Sequence, residues 1–120
     1  AQHCDLGKKG EELALEYLRK NRYVVKTTNW YFGRNEVDII AVEDKELVII
    51  EVKTRSSNYA MEPECAVTKA KQKALVRAAN AYVMRYNIDM EVRFDIIGIL
   101  VQGDAHVIKH IKDAFYPLLR

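Results

Sequence analysis

The feature that most constrains this 120-residue chain is a short apolar run that ends in two charges. Residues 46–54 read Glu-Leu-Val-Ile-Ile-Glu-Val-Lys-Thr, so a strand formed here has apolar side chains on both of its alternating faces. A strand of this kind is typical of the centre of a sheet that is covered on both sides. Glu51 and Lys53 therefore fall at the end of a core strand, where a buried charge without a partner is strongly unfavourable.

A second carboxylate falls in the preceding predicted strand, residues 36–42. Only the polar turn Glu-Asp-Lys separates the two strands, and this spacing predicts a β-hairpin that brings Asp38 close to Glu51. In a regularly alternating strand, Val37 and Ile39 lie together on the face opposite Asp38. Two adjacent carboxylates repel each other and one pKa rises, unless a cation lies between them. A hard divalent cation, Mg²⁺ or Mn²⁺, would remove that repulsion.

Lys53 follows Glu51 by two residues and so points to the same side of the strand. An ammonium group there would orient an attacking water or stabilise charge that builds on a phosphate. A bound metal would lower the pKa of its water and polarise a phosphodiester. The pattern predicts a catalytic site of Asp38, Glu51 and Lys53. The alternative, a solvent-facing ion pair between Glu51 and Lys53 at a strand end, stays open from the residues alone.

The periodicity of the whole chain predicts the order α-β-β-β-α-β-β, an α/β fold with a mixed sheet flanked by helices. The predicted helices cover residues 6–21, with Asp5 as the N-cap, and residues 64–86, with Pro63 as an early residue. The remaining strands are predicted at residues 23–28, 92–101 and 105–111. Because no linker-like segment interrupts the chain, residues 1–120 are expected to form one domain.

Composition limits the classes of function only loosely. The formal net charge is +2, which permits a nucleic-acid partner without arguing for one. No apolar run approaches the ~20 residues of a membrane helix, so no membrane association is expected. Cys4 and Cys65 show no metal-binding spacing, which favours reduced thiols and a cytoplasmic location. No Gly-rich phosphate loop or GxSxG motif indicates ATP or serine chemistry.

A series of motifs is spread in order along nearly the whole chain. They are Gly10-Glu11 with Ala14 and Tyr17-Leu18, Asn35-Glu36-Val37-Asp38-Ile39-Ile40, Ile50-Glu51-Val52-Lys53-Thr54-Arg55, Ala66-Val67-Thr68-Lys69 with Lys71-Gln72, Arg93-Phe94-Asp95, and Ile111-Lys112-Asp113-Ala114-Phe115. This series resembles the YraN-like family (UPF0102), small bacterial proteins that are predicted endonucleases with a restriction-endonuclease-like fold. The first half is also similar to archaeal Holliday-junction resolvases. The chain departs from the family at Asn35, where Gly is usual, although Asn tolerates positive φ.

The resemblance implies a nuclease-type site on a restriction-endonuclease-like fold. Glu11 matches an acid on the first helix and is implied as a further metal ligand beside Asp38 and Glu51. Lys53 matches the catalytic lysine of the family. Glu36 matches the acid that precedes the aspartate, and it is implied as a supporting residue.

Basic residues that follow the predicted site indicate contacts with a polyanion. Lys69, Lys73 and Arg77 are spaced by four and would line one helix face, where they would either bind phosphates or form an ordinary solvated surface. The predicted nucleic-acid contacts are Arg34, Arg55, Lys69, Lys71, Gln72 and Lys73.

Two smaller groups of residues allow more than one interpretation. The run Trp30-Tyr31-Phe32 before Gly33-Arg34 would stack on unpaired bases or anchor the strand connection in the core, and the core role is favoured. Arg93 and Asp95 predict an intramolecular polar pair that supports the sheet, with support of the site as the other option.

Taken together, these patterns predict a Mg²⁺- or Mn²⁺-dependent endonuclease that hydrolyses phosphodiester bonds in DNA, with branched or structured DNA expected by analogy. Symmetric cleavage of a junction needs two sites, which favours a homodimer. Two alternatives stay open. One is a non-catalytic nucleic-acid-binding module that retains the nuclease fold, and the other is a structural or partner-binding protein whose charged residues form ion pairs.

Overall fold

A computed structural model describes residues 2–56 and 67–116, with side chains from residue 6 onward. The elements are α1 (Gln2–Lys20), β1 (Val24–Phe32), β2 (Asn35–Glu43), β3 (Glu46–Ser56), α2 (Lys69–Arg85), β4 (Glu91–Gln102) and β5 (Ala105–Ile111). The predicted order α-β-β-β-α-β-β is confirmed. Neither α1 nor α2 is long and apolar enough to cross a bilayer.

The five strands form one mixed sheet in the order β1-β2-β3-β4-β5, so β3 is its central strand. The pairs β1–β2, β2–β3 and β4–β5 are antiparallel, and only β3–β4 is parallel. A parallel pair needs a long crossover connection, and α2 is part of that crossover. The predicted hairpin between β2 and β3 is therefore present, and its turn is formed by Asp44 and Lys45.

The central strand is buried on both faces, as its sequence predicts. Leu47 and Ile49 lie in the apolar layer beneath α2, whereas Val48 and Ile50 lie in the layer beneath α1. None of these four side chains is more than 1% exposed. The helices complete the layers with Leu75, Ala78, Ala79 and Tyr82 from α2 and with Ala14 and Leu18 from α1.

Both helices begin at different residues from those predicted. α1 begins at Gln2, so Asp5 lies inside the helix and is not its N-cap. No Gly or Pro interrupts the residues before Asp5, and the helix can extend through them. α2 begins only at Lys69, because the Thr68 hydroxyl accepts a hydrogen bond from the backbone N–H of Lys71 and caps the helix. Pro63 and Cys65 lie outside the described residues.

A close contact between α1 and β3 sets the position of the helix over the sheet. Gly10 is buried, and a Cβ built on it would overlap Oγ1 of Thr54. Only a residue without a side chain allows this approach. Because Glu11 is the next residue of α1, the contact also fixes how far that carboxylate reaches over the end of β3.

A cluster of paired polar side chains is buried on the α1 side of the sheet. Asp95, 1% exposed, accepts two hydrogen bonds from Arg93, at 2.8 and 2.9 Å. It also accepts one from the backbone N–H of Asp113 at 3.0 Å and lies 2.8 Å from Nε2 of His110. Arg93 in turn reaches Glu46 at 2.9 Å. The predicted Arg93–Asp95 pair is therefore present, and it ties β4 to β5 and to the β2–β3 hairpin.

The Gly10 contact gives a test with a matched control in the same helix. We expect Gly10→Ala to lower the free energy of unfolding by about 1–3 kcal/mol, because its Cβ meets Thr54 in a closely packed layer. A Cβ on Gly7 meets no atom within 4 Å, so Gly7→Ala should be neutral or stabilise by up to about 1 kcal/mol. Urea denaturation measures both, and an equal effect of the two substitutions would contradict the contact. Adding Thr54→Ala should recover part of the loss in Gly10→Ala.

The buried polar cluster gives a second test. Asp95→Asn should destabilise the fold by about 1–3 kcal/mol, because it removes the most buried of the three carboxylates around the Arg93 guanidinium and weakens their charge-assisted hydrogen bonds. Hydrogen bonds from His110 and Arg93 outweigh burial and hold the pKa of Asp95 below its ordinary value. Its stabilising effect is therefore present above pH 3.8 and is lost as pH falls through the lower folded-state pKa. Denaturation of Asp104→Asn, in the exposed β4–β5 turn, provides the control, and a similar small loss in both variants would reject the role of Asp95.

Candidate active site

The candidate site lies where β2 and β3 cease to pair. Their register runs from Glu43↔Glu46 to Ile39↔Ile50 and ends there. Beyond this point β2 remains paired with β1, and β3 remains paired with β4 through Ser56. Asp38 and Glu51 are the first residues past the shared ladder, so their side chains border the gap that opens between the two strands.

Asp38 occupies this gap with its carboxylate. Its Oδ2 accepts a hydrogen bond of 2.8 Å from the backbone N–H of Val52, and so replaces the acceptor that β2 no longer offers to β3. Burial, and then repulsion by Glu51, raises the pKa of Asp38 to about 7. The expected approach of the two carboxylates is therefore present in the structure.

The alternation of β2 breaks at Asp38, which the sequence analysis did not anticipate. Ile39 lies in the layer beneath α1, but Val37 lies in the layer beneath α2, so the prediction that they share a face is wrong. The residue opposite Asp38 in the β1–β2 register is Asn29, whose φ of +50° places its backbone in the left-handed region. This conformation is incompatible with a regular strand and interrupts the pleat of both strands.

Glu51 lies on the α2 side of the gap, with an ammonium group on either side of it. Its side chain is 6% exposed, and its Oε2 lies 3.8 Å from Nζ of Lys53 and 3.8 Å from Nζ of Lys71. Its Oε1 is buried and has no hydrogen-bond partner among the described residues. Burial raises the pKa of Glu51, while the two lysines act in the opposite direction.

Glu11 and Glu36 approach from the α1 side and are joined by Asn29. The Asn29 amide donates to Glu36 Oε2 at 2.8 Å and to the two oxygens of Glu11 at 3.2 and 3.3 Å. Burial raises the pKa of Glu11, with Asp38 and Glu36 adding repulsion and the Asn29 bond opposing it. Asn29 is a site residue that the sequence analysis missed, although an Asn inside a run of β-branched and aromatic residues indicates a break in a strand.

The basic stretch of α2 divides between two sides of the helix. Lys71 points toward Glu51, together with the buried face of α2. Lys69 and Lys73 are exposed, and at 100° per residue they lie on nearly the opposite side, away from the carboxylates. Gln72 donates its side-chain amide to the carbonyl of Val67 at 3.3 Å, which supports the start of the helix.

The two predicted arginine contacts flank the site without entering it. Arg34 is exposed in the turn between β1 and β2, four residues before Asp38. Arg55 is exposed near the end of β3, and its guanidinium donates to the carbonyl of Thr54 at 3.0 Å. The structure thus brings together Glu11, Glu36, Asp38, Glu51, Lys53 and Lys71, and it leaves Arg34, Arg55, Lys69 and Lys73 around them.

The side chains at the gap meet part of the requirement for a divalent cation. Mg²⁺ is commonly bound by one or two carboxylates, with water and phosphate oxygens as its other ligands. Asp38 and Glu51 offer such a pair, and the buried Oε1 of Glu51 lacks a partner within the described residues. No three Asp, Glu, His or Cys groups in residues 6–56 and 67–116 stand close enough to form a complete protein cage. The donor set therefore fits a cation whose shell is completed by water or substrate.

Fold and site define an α/β domain with an acid–lysine site at the end of the central strands of a mixed sheet. The chain matches the Uncharacterised protein family UPF0102 over residues 10–99 and belongs to that family. It is 48% identical to a UPF0102 protein of Bacteroides thetaiotaomicron over 119 residues, which cover 99% of this chain and 98% of the relative. It is 47% identical to a UPF0102 protein of Parabacteroides distasonis, with 100% and 99% coverage, and 47% identical to one of Flavobacterium psychrophilum, with 97% and 98% coverage. The resemblance found in the motifs is thereby confirmed, and the matched span contains the whole acid–lysine group.

The raised pKa of Asp38 predicts a particular dependence of stability on pH. The folded protein keeps the Asp38 proton up to about pH 7, whereas the unfolded chain loses it near 3.8, so stability falls as pH rises between these values. Asp38→Asn keeps an acceptor for Val52 and cannot ionise. In metal-free buffer above pH 7 it should be more stable than wild type, on the order of 1–3 kcal/mol, with no difference below the ordinary pKa of Asp.

Urea denaturation across this pH range measures the difference. Asp104→Asn makes the same chemical change at an exposed turn position and should show no such gain. If Asp38→Asn is instead less stable than wild type above pH 7, the prediction is contradicted, because the ionised carboxylate would then stabilise the metal-free fold.

Proposed function

We propose that this UPF0102 protein is a metal-dependent endonuclease that hydrolyses phosphodiester bonds in DNA, with branched or structured DNA as its substrate. The observation that supports this proposal is the pair of desolvated carboxylates, Asp38 and Glu51, at the end of two core strands, with Lys53 and Lys71 both 3.8 Å from Glu51. A charge arrangement of this kind, where burial and neighbouring charges shift pKa values, is typical of catalytic sites.

The carboxylates would hold the cation. Asp38 keeps Oδ2 on the Val52 N–H, so its other oxygen would hold the cation. Glu51 would contribute the buried Oε1, which has no partner among the described residues. Glu11 lies near Asp38 and, released from Asn29, would add a third carboxylate directly or through water. When bound, Mg²⁺ or Mn²⁺ supplies positive charge that polarises the phosphodiester and favours ionisation of water.

The lysines would act on the phosphate side of the site. The side chains of Lys53 and Lys71 are 27% and 36% exposed, whereas the Glu51 side chain beside them is buried. The two lysines are therefore the groups of this cluster that a ligand from solvent would meet. There they are placed to attract the negative phosphodiester and to stabilise charge that builds on its oxygens. The same lysines would orient a water molecule by hydrogen bonding.

Binding of a cation would compete with the proton on Asp38. With a pKa of about 7, this carboxyl group is largely protonated in acidic buffer, and metal ligands must be deprotonated. Metal affinity and cleavage should therefore both decline as pH falls below 7. When both carboxylates are ionised, a doubly charged cation would relieve the repulsion between Asp38 and Glu51, which favours its binding above pH 7.

A non-catalytic nucleic-acid-binding module is the second candidate. The observation that favours it is the lack of a complete three-ligand cage among the described residues, together with the exposed stripe of Lys69, Lys73 and Arg77 on the outer side of α2. In that case DNA binding would depend on salt and on the stripe. It would be unaffected by Asp38→Asn.

Cleavage assays test the nuclease proposal. Labelled branched, single-stranded and duplex DNA are incubated with Mg²⁺ or Mn²⁺ and with wild type, Asp38→Asn, Glu51→Gln or Lys53→Gln. Each variant should lower the cleavage rate by roughly 100-fold or more, the scale seen when one group that stabilises transition-state charge is removed. Asp104→Asn, which makes the same change far from the gap, should cleave like wild type.

Titration with Mn²⁺ by calorimetry provides an independent readout. Wild type should bind the ion and release protons in the range of the Asp38 pKa, and Asp38→Asn should bind more weakly. Equal cleavage rates in all variants, with no uptake of Mn²⁺ by wild type, would reject the proposal. DNA binding without cleavage or metal uptake would support the binding module.

A further inference from the structure

A two-stranded ribbon extends past the candidate site. After β2 leaves β3 at Ile39, β1 and β2 remain paired with each other as far as Phe32↔Asn35. Strand β1 was predicted to end at residue 28, but this pairing carries it four residues further. The turn at Gly33 and Arg34 closes the ribbon, and Gly33 adopts a φ of +61°, which favours glycine. We call residues 31–34 the ribbon tip.

The three aromatic residues of the ribbon do not share one role. Trp30 packs against Tyr82 of α2 with ring centroids 5.2 Å apart, which confirms core anchoring for this residue. Tyr31 and Phe32 are 61% and 45% exposed, and neither belongs to the buried layers of the sheet. Two large aromatic side chains at the tip are therefore available to an external partner, since the described core does not use them.

The ribbon tip is next to the acid group. Tyr31 pairs with Glu36 across the ribbon, and Glu36 shares the Asn29 amide with Glu11. Phe32 pairs with Asn35, which precedes Asp38 by three residues, a distance of roughly 10 Å along a strand. Stacked nucleotides rise ~3.4 Å each and unstacked ones span more, so the tip lies within about three nucleotides of a phosphodiester held at Asp38 and Glu51.

The charges around the tip determine which part of a nucleic acid, base or phosphate, can lie at each position. Glu11 and Glu36 repel phosphates on the Tyr31 side, and an uncharged aromatic ring is the group that fits there. Arg34 is exposed at the turn, where its guanidinium is placed to meet the backbone of the same strand. A base that is already paired inside a duplex has no free face, whereas an unpaired base stacks readily on an aromatic side chain.

We infer that the ribbon tip binds unpaired bases of DNA by stacking. Tyr31 and Phe32 are adjacent in β1 and so point to opposite faces of the ribbon, where each ring accepts a base on its own side, with Arg34 on an adjacent phosphate. The substrate class that follows is DNA with unpaired nucleotides within about three positions of the phosphodiester at the acid–lysine group. This inference names the substrate of the proposed nuclease, and only the cleavage position rests on that function. Binding of unpaired bases stands without it.

Binding of the full chain to DNA in the presence of EDTA tests the inference without cleavage. The probes are an intact duplex and the same duplex with a short single-stranded gap that contains 2-aminopurine, a base whose fluorescence is quenched by stacking. Wild type should bind the gapped duplex more tightly and quench the probe. Tyr31→Ala/Phe32→Ala should bind gapped DNA about 5- to 100-fold more weakly, with duplex affinity unchanged.

Two control variants separate stacking from other effects. Tyr31→Leu/Phe32→Leu keeps apolar side chains without π-faces and should behave like the alanine variant. Tyr116→Ala removes a side chain that is 71% exposed outside the ribbon and should bind like wild type. Thermal denaturation should show the same transition for each variant, because the substituted residues are exposed.

Several outcomes would overturn the inference. They are equal binding of gapped and intact duplex by wild type, equal loss on both DNAs in the alanine variant, and full gap preference in the leucine variant. A change in sedimentation from dimer to monomer in the alanine variant, with unchanged gap preference, would show that a second copy of the chain covers the tip.

The result also separates the two proposals. Gap preference that depends on the aromatics, without cleavage in Mg²⁺ or Mn²⁺, leaves the inference standing and rejects the nuclease. Cleavage by the Tyr31→Ala/Phe32→Ala variant, with its preference for gapped DNA unchanged, supports the nuclease and rejects the stacking inference. If wild type binds no DNA even at low salt, both proposals fail.

Discussion

The hydrogen bond from the backbone N–H of Val52 to the Asp38 carboxylate is the interaction on which the site depends. A sheet that opens between two core strands leaves backbone groups without partners, and such groups are costly when buried. At this opening a side chain supplies the missing acceptor. Because the Asp38 carboxylate takes the place of the backbone acceptor, it lies in a partly desolvated gap beside Glu51. The missing backbone hydrogen bond is thereby replaced, but two carboxylates are brought close together.

The two sides of the sheet contribute different charged groups to that gap. Acids arrive from the α1 side, where the close approach at Gly10 sets the reach of Glu11 and where Asn29 holds the acid in place. Cations arrive from the α2 side, where Lys53 and Lys71 both approach Glu51. A cation held by Asp38 and Glu51 and a phosphate drawn to the lysines beside Glu51 would thus be neighbours in the same opening, an arrangement suited to a polarised phosphodiester.

The sequence was sufficient for the features that follow from hydrophobic burial. The central position of β3, the β2–β3 hairpin and the approach of Asp38 to Glu51 all derive from alternation and turn length. It was not sufficient for features set by local backbone conformation. Nothing in an alternating pattern reveals the left-handed backbone of Asn29, or the change of face between Val37 and Ile39 that lies opposite it. The start of α2 was likewise decided by one hydroxyl cap rather than by propensity.

Within residues 6–56 and 67–116, Asp95 and the Asp38–Glu51 pair differ in how many partners their carboxylates have, and that difference indicates which of them is structural. Asp95 accepts from Arg93 and from the Asp113 backbone N–H and lies against His110, so its pKa falls and its charge is fully compensated. Asp38 accepts one hydrogen bond from a backbone N–H, Glu51 lies 3.8 Å from each of two lysines, and the pKa values of both carboxyl groups rise. A purely structural acid is expected to be fully paired, as Asp95 is, because a buried acid without enough partners destabilises the fold. The incomplete pairing of Asp38 and Glu51 lowers stability, and such a pair is expected where a positively charged ligand binds the carboxylates.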